Sequence, residues 1–152
     1  MSCLTTGHCY GYQTLTESWR KIGSSANCNS AHCDRYIMEM DGNTWFRFLE
    51  PAGTKLSNTP LGDWPLNRTC GTCKYGRLDG SDPTNVGQIV GRRVCFDNHG
   101  GDCWRSVNIK VSLCKDNNNE EFLVYQLKKY PRNCCCDWAY CAEWNWYNSY
   151  HG

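Results

Sequence analysis

Cysteine is the residue type that could do the most chemistry in this chain. Thirteen of the 152 residues are cysteine, from Cys3 to Cys141. Such a content in a short chain is typical of a disulfide scaffold, and disulfides persist outside the reducing cytosol. We therefore expect a secreted, extracellular protein. Because the number is odd, one cysteine is expected to be unpaired or intermolecular. The predicted disulfide set is Cys3, Cys9, Cys28, Cys33, Cys70, Cys73, Cys95, Cys103, Cys114, Cys134, Cys135, Cys136 and Cys141.

Two other uses of thiols, metal binding and redox catalysis, are suggested by Cys70-Gly-Thr-Cys73. A zinc ribbon needs a second pair at similar spacing, and the sequence has none. A thioredoxin-type dithiol follows a strand and opens a helix, which the loop-like composition around Gly76 does not favour. The four histidines are scattered among polar residues (His8, His32, His99 and His151). We expect structural disulfides here, with no metal and no cofactor.

Three consecutive cysteines, Cys134-Cys135-Cys136, form the most unusual local motif. Adjacent side chains point apart in extended backbone, so the three sulfurs are expected to reach different partners. Alternatively, one of them links two chains. A disulfide-linked or a non-covalent homo-oligomer therefore stays open, and the spacing does not determine the pairing.

Catalytic motifs are missing from the sequence. There is no Gly-x-Ser-x-Gly elbow, no paired-acid motif and no phosphate loop. The acidic segments 79–82 and 116–121 lack the ligand spacing of an EF-hand, so we interpret them as solvated turns. We predict no catalytic residues, and no enzyme.

Charge and hydropathy exclude two classes of partner. The 16 basic and 15 acidic residues nearly balance, and basic doublets such as Arg92-Arg93 and Lys128-Lys129 do not form a stripe. This argues against nucleic-acid binding. No apolar run approaches the ~20 residues that span a bilayer. No signal peptide follows Met1, so we expect a mature domain whose signal has been removed. A reduced cytosolic protein is the alternative.

Two surface features suggest recognition. Asn67-Arg-Thr69 fits the N-glycosylation rule, so Asn67 is a predicted glycan acceptor. The C-terminal tail holds Trp144, Trp146 and Tyr147 beyond the last cysteine, beside the acid Glu143. Exposed aromatics could stack on sugar rings or on another protein, with Glu143 accepting hydrogen bonds from sugar hydroxyls. Packing of these aromatics back onto the domain is the alternative interpretation.

The elements that must position these residues are mainly β-strands. Val107, Ile109, Val111 and Leu113 alternate with polar residues, which predicts a half-buried strand. The segment 122–127 is expected to pair with it after the turn-rich 117–119. Another strand is predicted over 89–96, with Gly91 as a candidate bulge. Segments 35–40 and 44–49 flank Asp41-Gly42-Asn43, which predicts a hairpin.

Helical signal is weak. Thr14-Leu-Thr-Glu17 fits a capping box, and Leu15, Trp19 and Ile22 share a helical face, so a short helix ending at Gly23 is weighed here. Residues 51–83 are predicted to be a long irregular connection. The fold class is thus a mainly β, disulfide-rich antiparallel sheet or sandwich with long loops and at most short helices. We expect one cysteine-rich domain over 1–141, with an N-terminal hairpin-like segment, and an aromatic tail over 142–152.

Ordered segments of this chain resemble the cysteine-rich (eight- or ten-cysteine) domain shared by uromodulin and the major pancreatic zymogen-granule glycoprotein. The similarity runs from about Cys3 to Cys141. The segments are Cys9-Tyr-Gly-Tyr-Gln-Thr-Leu-Thr-Glu-Ser-Trp-Arg20, Cys33-Asp34, Thr44-Trp-Phe-Arg-Phe48, Cys70-Gly-Thr, Leu78-Asp-Gly-Ser-Asp-Pro83, Gly87-Gln-Ile-Val-Gly-Arg-Arg-Val-Cys95, Cys103, Cys114, Val124-Tyr-Gln-Leu127 and Ala139-Tyr-Cys141.

The resemblance implies a secreted or surface-anchored, non-enzymatic module that displays N-glycans to bacterial adhesins. Asp79 stands where a family member carries that glycan on Asn, so glycosylation there is not expected. Asp102 replaces a family cysteine, another is absent before Cys70, and Cys73, Cys134 and Cys135 are additional. The disulfide pairing is therefore expected to differ in part.

We predict a non-catalytic extracellular interaction or adhesion module, whose partners are glycans or glycoproteins. One alternative is a lectin that binds sugars directly through the exposed aromatics. Another is a secreted disulfide-rich toxin or a structural matrix protein.

Overall fold

The structure is a computed structural model, and it describes residues 7–24, 31–60, 70–97, 103–132 and 135–144. Nine strands occur in these ranges, with two single turns of 3₁₀ helix at Gly7–Cys9 and Ser18–Arg20. This confirms the mainly β fold class with at most short helices. The strands are β1 Tyr12–Leu15, β2 Asp41–Phe48, β3 Lys55–Leu56, β4 Lys74–Asp79, β5 Ile89–Asp97, β6 Cys103–Lys115, β7 Glu121–Lys128, β8 Trp138–Tyr140 and β9 Ala142–Glu143.

Seven strands form one sheet in the order β1-β2-β7-β6-β5-β4-β8, and β3 and β9 form a separate antiparallel pair. The five central strands are antiparallel, as the sequence predicts. Each edge adds a short parallel strand, β1 beside β2 and β8 beside β4. A parallel neighbour requires a crossover connection, so these edges join segments far apart in the chain. Among the described residues, no helix is long and apolar enough to cross a membrane.

The pairing of β6 with β7 confirms the strongest strand prediction. Val111 lies opposite Tyr125 and Leu113 opposite Leu123 in an antiparallel register. Ile109 and Val111 are buried while Asn108 is exposed, because successive side chains point to opposite faces of a sheet.

Two positional predictions for glycine are wrong. Gly91 lies in regular register opposite Lys110, and the irregularity of β5 falls between Phe96 and Asp97 instead. The predicted hairpin at Asp41-Gly42-Asn43 does not form, because residues 35–40 make turns and no strand. Gly42 does adopt a positive φ of 85°, but it does so where the pairing of β2 with β7 shifts register.

The short helix weighed for residues 14–22 is also wrong, apart from the 3₁₀ turn at Ser18–Arg20. Leu15 belongs to β1, whose backbone groups pair with β2. Those groups are then not available for the hydrogen bonds of a helix. Glu17 makes no side-chain cap, and its carboxylate accepts a hydrogen bond from Arg20 Nε at 3.1 Å.

The predicted irregular connection over 51–83 contains two strands, β3 and β4. The Lys-Tyr-Gly-Arg-Leu-Asp composition of β4 is poor in β-branched residues, so its sequence signal is weak. Gly76 is required there because a Cβ would lie 2.7 Å from Phe96 Cε1 on β5.

The core lies on both faces of the sheet. The larger cluster covers one face and includes Phe46, Val111, Tyr125 and Trp138. A smaller cluster on the other face contains Phe122, Val124 and the buried Cys9 and Cys114, with Tyr12 and Trp45 packed against it. The N-terminal segment therefore closes the second face.

Candidate functional site

Disulfides join distant parts of the chain. Cys9 bonds to Cys114, Cys33 to Cys136 and Cys70 to Cys141, across sequence separations of 105, 103 and 71 residues. Cys95 bonds to Cys103 between neighbouring strands.

Cys73 and Cys135 are disulfide-bonded as well, so all ten cysteines of the described ranges are bonded. Cys70 takes Cys141 and not Cys73, which removes the redox-dithiol interpretation of the Cys70-x-x-Cys73 spacing. Cys3, Cys28 and Cys134 lie outside the described residues.

A histidine does meet a cysteine pair, at His8, Cys9 and Cys114. The two sulfurs are bonded to each other, so neither is a thiolate ligand. His8 Nε2 lies 2.9 Å from Ser112 Oγ, and its ring lies 4.9 Å from that of Trp45. Burial lowers the pKa of His8 below 6.5. Cys9 and Cys114 belong to the smaller core cluster, and His8 lies against Trp45 beside it.

Arg20 and Asp34 form a fully buried ion pair, whose side chains are both 0% exposed. Arg20 donates from Nη1 and Nη2 to the two Asp34 carboxylate oxygens at 2.7 and 2.8 Å. Asp34 also accepts the Tyr140 backbone N–H at 2.8 Å. Burial opposes the charge on Arg20, but Asp34 and Glu17 hold its pKa above its ordinary value. This pair ties the N-terminal segment to β8.

A second buried pair joins Arg77 on β4 to Asp97 on β5. Burial, followed by the charge of Asp97, raises the pKa of the adjacent Tyr75 to about 12. Asp97 is completely buried, so its carboxylate is a structural group with no access to a substrate.

The predicted ligand residue Glu143 lies in a third polar cluster. Its Oε2 accepts hydrogen bonds from Ser57 Oγ at 3.2 Å and Thr59 Oγ1 at 2.9 Å. Lys55 Nζ lies between the two acids, 2.5 Å from Asp82 Oδ2 and 3.6 Å from Glu143 Oε1. The Glu143 carboxylate is therefore already engaged by groups of the protein.

The other predicted ligand residues separate into two groups. Trp144 is 45% exposed at the end of β9, next to Glu143. Trp146, Tyr147 and the glycan acceptor Asn67 lie outside the described residues. Of the predicted aromatic platform, the structure therefore places Trp144 alone within the ranges it describes.

The structure forms a groove that the sequence did not indicate. It has a volume of about 480 Å³, and eight residues line it: Arg35, Tyr36, Met38, Lys129, Tyr130, Pro131, Arg132 and Trp138. We call it the basic groove, because three of these side chains are cationic and no acidic side chain of the described residues lines it. Tyr36 and Met38 are 75% and 77% exposed. Tyr130 and Trp138 are buried and stack on each other, so they support the groove from the core side.

Sequence reasoning misses the basic groove for a specific reason. Local patterns predict a strand over 35–40 and show Lys128-Lys129 as an isolated basic doublet. The two segments lie more than 90 residues apart and meet through the Lys129 Nζ donor to the Arg35 carbonyl at 2.7 Å. The exposure of Tyr36 and Met38, which completes the groove, is visible only in the folded chain.

Comparison with known proteins adds the family. A family model described as a uromodulin-like domain matches residues 46–142, which is more than half of the chain. The chain belongs to the uromodulin-like domain family. Uromodulin of Rattus norvegicus is 31% identical over 135 residues, which cover 89% of this chain and 18% of that protein. Uromodulin of Mus musculus is 30% identical over the same coverage.

A second relative of this uromodulin-like domain is the pancreatic secretory granule membrane major glycoprotein GP2 of Canis lupus familiaris. It is 30% identical over 136 residues, covering 89% of this chain and 23% of that protein. The chain thus spans less than a quarter of the length of these curated relatives. The resemblance found in the sequence is confirmed.

The family match begins in β2 and ends at the first residue of β9. Lys129, Arg132 and Trp138 of the basic groove fall inside it, whereas Arg35, Tyr36 and Met38 precede it. The groove is therefore built across the boundary of the match.

Proposed function

We propose that this uromodulin-like domain is a non-catalytic, extracellular recognition module that binds glycans or proteins through its surface. The observation that carries the proposal is the disulfide framework. Three bridges each close more than 70 residues of chain, and such bonds persist in oxidising compartments. The names of the relatives, which include a secretory granule membrane glycoprotein, support the same compartment.

The state of the buried charges supports a non-catalytic role. A catalytic acid or base must reach its substrate. Asp34 and Asp97 are 0% exposed, and Glu143 accepts two hydroxyl hydrogen bonds within the domain. These carboxylates act as structural partners of Arg20, Arg77 and Lys55.

Thiol alkylation of the natively folded protein tests the compartment. We expect iodoacetamide to label almost none of the thirteen cysteines before reduction, and all of them after reduction in denaturant. Binding is then tested by passing glycoproteins and free glycans over the immobilised domain. A native protein whose thiols are mostly alkylated would remove the oxidising compartment and the proposal with it.

The exposed Trp144 supports a second candidate function, direct sugar binding. An exposed indole can stack on the apolar face of a sugar, but a sugar hydroxyl would have to compete with Ser57 and Thr59 for Glu143. A glycan array with Trp144→Ala is the test, and Trp104→Ala is the matched control because Trp104 is 50% exposed on β6. Lectin binding predicts loss of signal with the first variant alone. Equal signals from both variants exclude this site.

Glycosylation at Asn67 and self-association are further proposals. Removal of N-glycans by glycosidase should lower the mass of protein from a eukaryotic host, and Asn67→Gln should abolish that change. A disulfide-linked dimer should persist on a non-reducing denaturing gel and disappear on a reducing one, whereas a non-covalent dimer should appear in native gel filtration alone.

A further inference from the structure

We propose that the basic groove binds an acidic peptide segment of a partner protein, with an apolar side chain placed among the acids. This rests on the proposed recognition function and names the class of ligand. The charges, the exposed apolar atoms and the rigidity of the groove all favour such a ligand.

The cations of the groove are available to an outside partner. Arg35, Lys129 and Arg132 take part in none of the ion pairs formed within the described ranges, whereas Arg20 and Arg77 are fully paired in the interior. Lys129 donates one of its three ammonium N–H groups to the Arg35 carbonyl in a hydrogen bond, which leaves two donors for a ligand. Three cations gathered without an acid attract an anionic segment.

The apolar part of the groove favours a protein over other anionic partners. Tyr36 and Met38 are among the most exposed large hydrophobic side chains of the described residues. Tyrosine, methionine and arginine are the residues enriched at protein interfaces, where aromatic and arginine side chains carry much of the binding energy. The Arg35 guanidinium lies 5.7 Å from the centroid of the Tyr36 ring, so charge and apolar surface are adjacent.

A neutral sugar suits this lining less well. Sugar hydroxyls need acceptors as well as donors, and the lining side chains supply no carboxylate and no amide. The cations act as donors alone. An acidic peptide supplies the acceptors itself and brings the apolar group that Tyr36 and Met38 would cover.

Both walls of the groove are held in place before any ligand arrives. The Cys33–Cys136 bridge joins the segment before Arg35 to the segment before Trp138. The Asp34 N–H donates to the Trp138 carbonyl at 3.0 Å, and Lys129 binds the Arg35 carbonyl. A groove that is already ordered loses less entropy on binding.

A phage-displayed random peptide library, selected on the folded full chain, tests the proposal. We expect acidic peptides with at least one apolar residue, whose affinity falls as NaCl is raised because salt screens the solvent-accessible cations of the groove. In Arg35→Gln/Arg132→Gln we expect affinity to fall at least about tenfold. Lys110→Gln/Lys115→Gln is the matched control, since it removes the same charge from exposed positions on β6, and it should bind normally.

A second variant separates apolar contact from charge. Tyr36→Ser/Met38→Ser keeps every cation, and it should also weaken the selected peptides about tenfold. Circular dichroism and the non-reduced mass would show that each variant keeps its fold and its bridges.

Several results would overturn the acidic-peptide site. They are selection of neutral or basic peptides, equal binding to the groove and control variants, and groove-dependent binding of sialyllactose or a heparin hexasaccharide without any peptide. None of these results touches the recognition function in general, which fails separately if native thiols prove free.

Discussion

Replacing Asp34 by Asn should be among the most destabilising conservative changes in this protein. The substitution keeps the volume of the side chain but removes its charge. Arg20 would remain fully buried, with Glu17 as its nearest acid at 3.1 Å and that acid 39% exposed. The substitution would also replace one carboxylate oxygen by an amide nitrogen. Its NH₂ group would then face the Arg20 guanidinium or the Tyr140 backbone N–H, and both of these are donors.

The magnitude follows from the geometry. Breaking a buried ion pair by removing one partner costs about 3–5 kcal/mol, because the remaining charge is left without compensation. Glu17 offsets part of this, so we expect about 3 kcal/mol for Asp34→Asn. At about 2–4 °C for each kcal/mol in a domain of this size, the melting temperature should fall by roughly 6–12 °C.

Urea unfolding followed by tryptophan fluorescence, with the disulfides intact, measures the loss. Glu50→Gln is the matched control, since Glu50 pairs with Lys21 at 3.5 Å on the surface, and it should cost under about 1 kcal/mol. Adding Arg20→Met to Asp34→Asn should restore part of the stability because it removes the buried charge. A loss for Asp34→Asn no larger than for Glu50→Gln would refute the reasoning.

Three further predictions concern pH, sulfur and glycosylation. Because burial lowers the pKa of His8 below 6.5, the unfolded chain binds its proton more tightly, so stability should fall as pH drops from about 7.5 to about 5.5, and less so in His8→Gln. A pH dependence unchanged by His8→Gln in urea titrations would contradict this. Removing the Cys9–Cys114 bridge by double Ala substitution should cost more stability than removing Cys95–Cys103. The entropy of closing loops of 105 and 8 residues corresponds to about 4.7 and about 2.5 kcal/mol of stabilisation, and the other bridges reduce the first figure. Equal losses of melting temperature would show that loop length does not govern these bridges. Asp79→Asn creates an Asn-Gly-Ser acceptor at a side chain 38% exposed, and protein from a eukaryotic secretory host should gain an N-glycan that added Ser81→Ala abolishes. An unglycosylated product would mean that this strand end is closed to the modifying enzyme.

Local patterns predicted much of the sheet. The alternation of Val107 to Leu113 placed β6 correctly, and the turn-rich segment after it predicted the pairing with β7. Both features depend on neighbours in the sequence, and a period of two is a local property of extended backbone. The predictions of a hairpin turn at Gly42 and a bulge at Gly91 were wrong. A glycine in the sequence shows that a positive φ is tolerated, but it does not show whether a turn or a bulge adopts it.

Strand β4 shows why other elements were missed. Its residues have low β propensity, and it is a strand because β5 and β8 pair with it on either side. Such pairing is a tertiary contact that outweighs local preference. The burial of Arg20 could not be predicted for a similar reason. Its partner Asp34, which is also fully buried, can be recognised only in the folded chain.

The candidate site was likewise predicted from the sequence only in part. The sequence pointed to Glu143 and Trp144, and the structure shows the first engaged with Ser57 and Thr59 and the second exposed. It gave no indication of the basic groove, whose two walls are separated by more than 90 residues.

The amino-acid sequence alone determined that this is a cysteine-rich β domain of the uromodulin-like family, because composition, alternation and ordered motifs are properties of the linear chain. Only the tertiary structure decided which cysteines bond, which charges are buried in pairs and where cations gather beside exposed Tyr36 and Met38. Each of these depends on contacts between distant segments, and such contacts exist only once the sheet has brought its edges together.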